Sequence, residues 1–148
     1  IRLVDVKGYS YSREDVTAKG LANAYSQSLG NIFTAELKPY ECEILVAAVG
    51  DAPGENEIFH ILFDGSVTDR QEWVAMGGQS EALGSHLAEH YPSKVPDLAA
   101  ALQLGDAALS TVGGTKVPPE QLEVAVLDRT RPRRKFRRLS DAQVAELL

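Results

Sequence analysis

The residues HLAEH, positions 86–90, match the His-x-x-Glu-His pattern of inverted zinc metallopeptidases. On a helix, His86 and His90 lie one turn apart on one face, so both imidazoles reach one zinc ion, with Glu89 beside them as a general base. A zinc-dependent peptidase on this helix is therefore the enzymatic alternative for this chain. It needs a third protein ligand, which the pattern does not supply. The helix also needs Leu83 and Leu87 for its buried face, and the two histidines lie at the border of that face. Two solvated histidines are the expectation, and no metal ligand is assigned.

A second stretch, RTRPRRKFRRL at 129–139, carries seven cations between Arg129 and Arg138. The whole chain has 15 Lys and Arg against 21 Asp and Glu, a net charge of −6; without those seven cations the balance is 8 against 21, or −13. The basic segment is an island on an acidic protein. It can hold a few phosphates, but net negative charge opposes long-range steering of a polyanion. A nucleic-acid-binding module using 129–138 is the second alternative, and the expected partners include no nucleic acid.

Other candidates carry less. VAMGGQSEAL, 74–83, reads as a strand, a glycine turn and a helix whose N-terminal amides face a phosphate. It lacks both the third glycine of a dinucleotide fingerprint and the Gly-Lys-Ser/Thr ending of a P-loop. Close packing of strand on helix is the expected reason for Gly77 and Gly78. No Gly-x-Ser-x-Gly elbow occurs. Cys42 is expected mid-strand between Glu41 and Glu43, whose charge raises a thiol pKa, the wrong direction for a nucleophile. Catalytic and cofactor-binding residues are accordingly assigned as none, and no cofactor is expected.

The elements that position these residues follow from composition and period. At 148 residues and 44% apolar content the chain suffices for one compact core, so a single domain over 1–148 is expected. One cysteine permits no internal disulfide and fits a reducing, cytoplasmic setting. No apolar run approaches the roughly 20 residues that span a bilayer, and IRLVDVKG is no signal sequence, so no membrane partner is expected. IRLVDVKGYSYS suits the last turns of a helix closed by Gly8 and cut mid-element.

Leu21, Tyr25, Leu29, Ile32 and Phe33 recur at helical spacing and predict an amphipathic helix over about 15–36. ECEILVAAVG and EIFHILFDGSV predict two strands buried on both faces, with Ile44 and Val46 on one side and Leu45 and Val49 on the other. EWVAMGG predicts a third strand. Ser80 is the expected cap of SEALGSHLAEHY, and Pro96 the expected first residue of the next helix. LEVAVLD and KFRRL predict a hairpin turning at Arg131, Arg133 and Arg134, with Phe136 facing inward and the cations guarding a sheet edge. SDAQ supplies a capping box for AQVAELL. The order is α, β, β, β, α, α, β, β, α.

Taken together, the segment from GYSYSREDV through ILVAAVG, then FHILFDGSV, WVAMGGQSEAL and LEVAVLDRTRPRRKFRRL, resembles the α-type proteasome subunits of actinobacteria. The resemblance runs in order over almost the whole chain. It implies an α+β fold of the N-terminal-nucleophile-hydrolase type, a four-layer α/β/β/α sandwich, of which this chain covers the later half to two-thirds. The single domain would then be incomplete on its N-terminal side, lacking the gating tail, the first strands and the activator pocket.

The resemblance further implies a non-catalytic subunit of the outer heptameric ring, gating substrate entry to a complex whose threonine protease activity resides in the β subunits. A proteasomal nucleophile is a Thr at the mature N-terminus, activated by its own amine, and the first residue here is Ile1. The implied partners are other α subunits in a homo-heptameric ring, β subunits, a ring-shaped AAA ATPase activator, and substrates tagged with a ubiquitin-like protein.

Overall fold

Thr17 opens the first long helix: its hydroxyl accepts from the Gly20 amide at 3.0 Å, satisfying one of the donors left over at a helix start. In the computed structural model, which describes Val6, Gly8, Ser10 and residues 12–148, this helix, α1, spans Ala18–Ala35. Most of the expected helix end before Tyr11 lies outside the described residues. Gly8 and Ser10 are both helical, so that helix does not close at Gly8. The chain forms two compact units, Ile1–Gln71 and Glu72–Leu148.

In the first unit α1 buries Ala22 and Leu29, with Ala18, Leu21 and Tyr25 partly buried beside them. Those positions form one stripe at spacings of three and four. Phe33 falls outside it. The small side chains of Ala18 and Ala22 let the helix sit close on the sheet along this seam, and the stripe continues to half-buried Ile32. Phe33 is left 43% exposed against the Phe63 ring, with centroids 5.8 Å apart. Phe33→Ala is therefore expected to cost only about 1–2 kcal/mol, the worth of half a buried ring and one aromatic pair. An unfolding midpoint shifted as far as for a core residue would contradict this placement.

Three antiparallel strands pair in the order β1-β2-β3: Ile44–Ala48, Glu57–Ile61 and Val67–Arg70. Val46 lies opposite Phe59 and Ile44 opposite Ile61. Val46, Phe59 and Ile61 are buried in one cluster with Ala22 and Leu29 of α1. The opposite face is open: Leu45 is 47% exposed and Ala47 is exposed. The expectation of burial on both faces fails because, among the described residues of this unit, the core cluster occupies one face only.

The expected strand 57–67 is broken at a tight turn. Asp64 accepts from the Ser66 amide at 2.9 Å and its hydroxyl at 2.6 Å, and Gly65 sits at φ 88°. Asp-Gly between apolar runs is a strong hairpin signal, and it wins over strand continuity here. The third strand is thus Val67–Arg70, exposed throughout, and EWVAMGG forms no strand. Half-buried Trp73 from that segment instead lies 3.6 Å from where a Cβ on Gly84 would stand.

In the second unit α2 spans Ser80–His90 and α3 Leu98–Gly113. Ser80 is the first helical residue and not the cap; Gln79 holds the cap position without a side-chain bond. Gly77 is required by its φ of 97°, and a Cβ on Gly77 or Gly78 would meet nothing within 4 Å, so close packing is not their reason. Asp97 caps α3 by accepting from Ala100 at 2.9 Å, which places Pro96 before the cap and outside the helix. Gly114 closes α3 in the left-handed region at φ 72°. Strands β4, Ala125–Leu127, and β5, Phe136–Arg138, form an antiparallel hairpin. Helix α4, Asp141–Leu147, starts with the expected capping box between Ser140 and Gln143. Ala108, Leu139 and Val144 are the buried apolar residues. Among the described residues, no helix is long and apolar enough to cross a membrane.

Candidate functional site

The β4–β5 hairpin carries the densest charge in the chain, and its turn is braced from within. Asp128 Oδ1 accepts from the Thr130 hydroxyl at 2.7 Å and the Thr130 amide at 3.1 Å. Those two donors hold the Asp128 carboxyl below its ordinary pKa of 3.8, with the Arg137 and Arg131 guanidinium groups adding to the effect. Across the turn, the Asp128 amide donates to Lys135 O at 2.8 Å. Arg131 Nη1 donates to Phe136 O at 3.1 Å and Lys135 Nζ to Arg129 O at 2.9 Å. Arg133 takes the left-handed conformation at φ 65°, uncommon for a residue with a side chain.

The placement of Arg131, Arg133 and Arg134 at the turn matches the expectation, but the strand alternation does not. Phe136 is 46% exposed, whereas Arg137 is half-buried and reaches Asp128 at 3.6 Å. The reason lies one residue past the strand. Leu139 takes the core position, and with a side-chain period of two it puts Arg137 on the inner face and Phe136 outside. Arg138, outward, pairs with Glu123. Beside them Glu123, Val124, Ala125, Phe136 and Arg138 line a depression of about 200 Å³, below the range of roughly 300–1,000 Å³ typical of small-molecule sites.

The histidines of HLAEH do come together. Their rings stack at 4.2 Å, and His90 Nδ1 stands 2.8 Å from His86 O, so Nδ1 carries the proton. Glu89 is exposed. Among the described residues, no group of three or more His, Cys, Asp or Glu is placed to hold a metal ion. Cys42 is exposed and precedes β1, not mid-strand as expected.

In the first unit two exposed features escaped the sequence. On the open sheet face, Leu45 stands opposite His60, whose Nε2 meets Glu43 Oε2 at 2.7 Å. Glu43 and His60 flank apolar runs and are 17 residues apart, so only the strand register brings them together. The connection between α1 and β1 leaves Leu37 fully exposed and Tyr40 largely so. Leu37, Tyr40 and Leu45 thus present apolar surface in the unit that carries the Glu43–His60 pair.

Comparison with known proteins is consistent along the chain. The family profile described as Proteasome subunit matches residues 4–127. The chain is 53% identical over 148 residues to a protein named Proteasome subunit alpha from Streptosporangium roseum, covering 100% of this chain and 57% of that relative. To proteins of the same name it is 48% identical over 157 residues in Geodermatophilus obscurus and 49% over 156 in Kineococcus radiotolerans, in each case over 100% of this chain. The chain spans 54% of the former relative's length and 65% of the latter's.

Proposed function

Because the chain belongs to the proteasome subunit family and its relatives bear the α-subunit name, we propose that it is part of a non-catalytic α-ring subunit of a proteasome core particle. The family carries the α+β, N-terminal-nucleophile-hydrolase-type fold expected from the sequence, of which this chain supplies the later part. The observation that carries the proposal is identity near one half over all 148 residues with proteins of that name. The mixed helix and sheet of each unit, the open sheet face at Leu45 and the charged hairpin support it.

In this reading the subunit forms an outer homo-heptameric ring, stacks on β subunits that hold the catalytic threonines, and gates entry in the cytoplasm. A ring-shaped AAA ATPase delivers substrates tagged with a ubiquitin-like protein. Ring closure needs two different complementary faces on each copy, which a chain with an acidic body and a basic hairpin provides.

The test uses the full-length subunit bearing this chain, alone and with its β partner. Alone, it is expected to turn over no fluorogenic peptide; together, the two are expected to form stacked rings with peptidase activity. Turnover by the α subunit alone that is lost on chelation, restored by zinc, and absent from a His86→Ala variant would move the function to the HLAEH helix. Absence of any joint assembly would overturn the ring reading.

A further inference from the structure

The seven cations of the hairpin are not equivalent. Arg131 and Lys135 donate to carbonyls of their own turn, Arg137 faces Asp128, and Arg138 pairs with Glu123. Arg129 is half-buried and engaged. That leaves Arg133 and Arg134, both exposed, with no ion pair or hydrogen-bond partner among the described residues. They sit at the outer end of a turn fixed on both sides by Asp128–Thr130 and Arg131–Phe136 bonds. Arg133 itself holds φ 65°, a left-handed conformation that is strained for a residue with a Cβ. Strain of this kind is kept where the presented group has a use.

We propose that Arg133 and Arg134 form a docking tip that binds carboxylates on an adjoining copy of this chain, a contact between neighbours in the ring. The inference rests on the ring-subunit reading above and names one of its contacts. Two planar guanidinium forks on a rigid turn suit discrete carboxylates, which they grip bidentately. A polyanion tract is a poorer fit: two phosphate contacts release few counterions, giving a slope of only about −2 in log affinity against log salt. The complement is abundant on the same chain. Outside the hairpin's seven cations the charges stand at 8 against 21, so a neighbouring copy presents a mostly acidic surface. Pre-ordering of the tip removes much of the entropy that long side chains on a loose loop lose on docking.

The experiment compares the full-length wild-type subunit with Arg133→Glu/Arg134→Glu and Arg133→Gln/Arg134→Gln, by sedimentation velocity at low and high salt. Among the described residues neither arginine has a partner, so circular dichroism and the thermal midpoint should match wild type in both variants. The charge reversal is expected to raise the concentration at half assembly about tenfold at low salt. The Gln variant should fall between, and both differences should shrink at high salt as screening grows. Assembly of the charge reversal that is indistinguishable from wild type at both salts overturns the docking tip while leaving the ring reading intact. A wild type that forms no ring even with β subunits overturns the ring reading first. Binding of wild type to polyphosphate or heparin at physiological salt, lost in variants that assemble normally, would assign the tip to a polyanion and overturn the proposal as well.

Discussion

Ile61→Ala is expected to destabilise the first unit by about 2–5 kcal/mol. Ile61 is fully buried, and it belongs to the cluster of Ala22, Leu29, Val46 and Phe59 that joins α1 to the sheet. It lies on the central strand, with Ile44 opposite it on one side and Val67 on the other. A cavity there is walled by two strands and a helix whose own hydrogen bonds resist collapse, so the upper half of the range applies. Urea unfolding followed by far-ultraviolet circular dichroism measures it. If the loss were no larger than that of Phe33→Ala, the placement of the core on this face of the sheet would be wrong.

Gly65→Ala is expected to be nearly as damaging, by about 2–5 kcal/mol, for a different reason. At φ 88° a side chain is strained before any neighbour is considered. A Cβ there would also stand 2.6 Å from Ser26 O, 2.7 Å from Gly30 N and 2.8 Å from Gly30 Cα, all main-chain atoms of α1 that cannot swing aside. The turn is held in that place by the Ser26 hydroxyl, which donates to Gly65 O. The companion change Gly30→Ala supplies the contrast. Its nearest new neighbour is Asp64 O at 3.5 Å, an ordinary contact, and alanine favours a helix over glycine by about 1 kcal/mol. Gly30→Ala should leave the thermal midpoint unchanged or raise it. Equal losses in the two variants would mean that helix and turn are not in the close contact described.

Local chemistry was legible wherever a single residue type decides the outcome. The Ser140–Gln143 pair starts a helix because its side chains satisfy amides within three residues, and no distant partner is needed; Thr17 and Asp97 cap by the same local chemistry, although the sequence pattern points to Ser80 and Pro96 instead. The stripe on α1 was readable for the same reason, apart from Phe33. What failed depends on partners far along the chain. Period two tells which residues share a face of β5 but not which face is inside; Leu139, beyond the strand, decides that, and Arg137 follows it inward. EWVAMGG has strand-like residues but its Trp73 packs beside Gly84 of α2, a contact invisible to strand propensity. The sequence pattern assigns Val67 to the end of the preceding strand and 68–70 to no element; Val67–Arg70 is a strand because the Asp64–Ser66 turn delivers it to the edge of β2. The tip at Arg133 and Arg134 could be seen as charge, but which of seven cations remain unspent depends on hydrogen bonds within the turn.

Strand order gives β1 a role beyond its place in the core. With β2 on one side only, the edge strand Ile44–Ala48, five apolar residues, has main-chain donors and acceptors along its other side that no described strand takes up. Apolar strand edges of this length are templates for chain-to-chain pairing, the route to precipitates. Glu41 and Glu43 stand immediately before the strand as negatively charged gatekeepers, and Glu43 is held in place by His60. Among the described residues, Glu43 thus places a negative charge at the entrance to the open edge of β1, where it opposes pairing with a second copy of the strand.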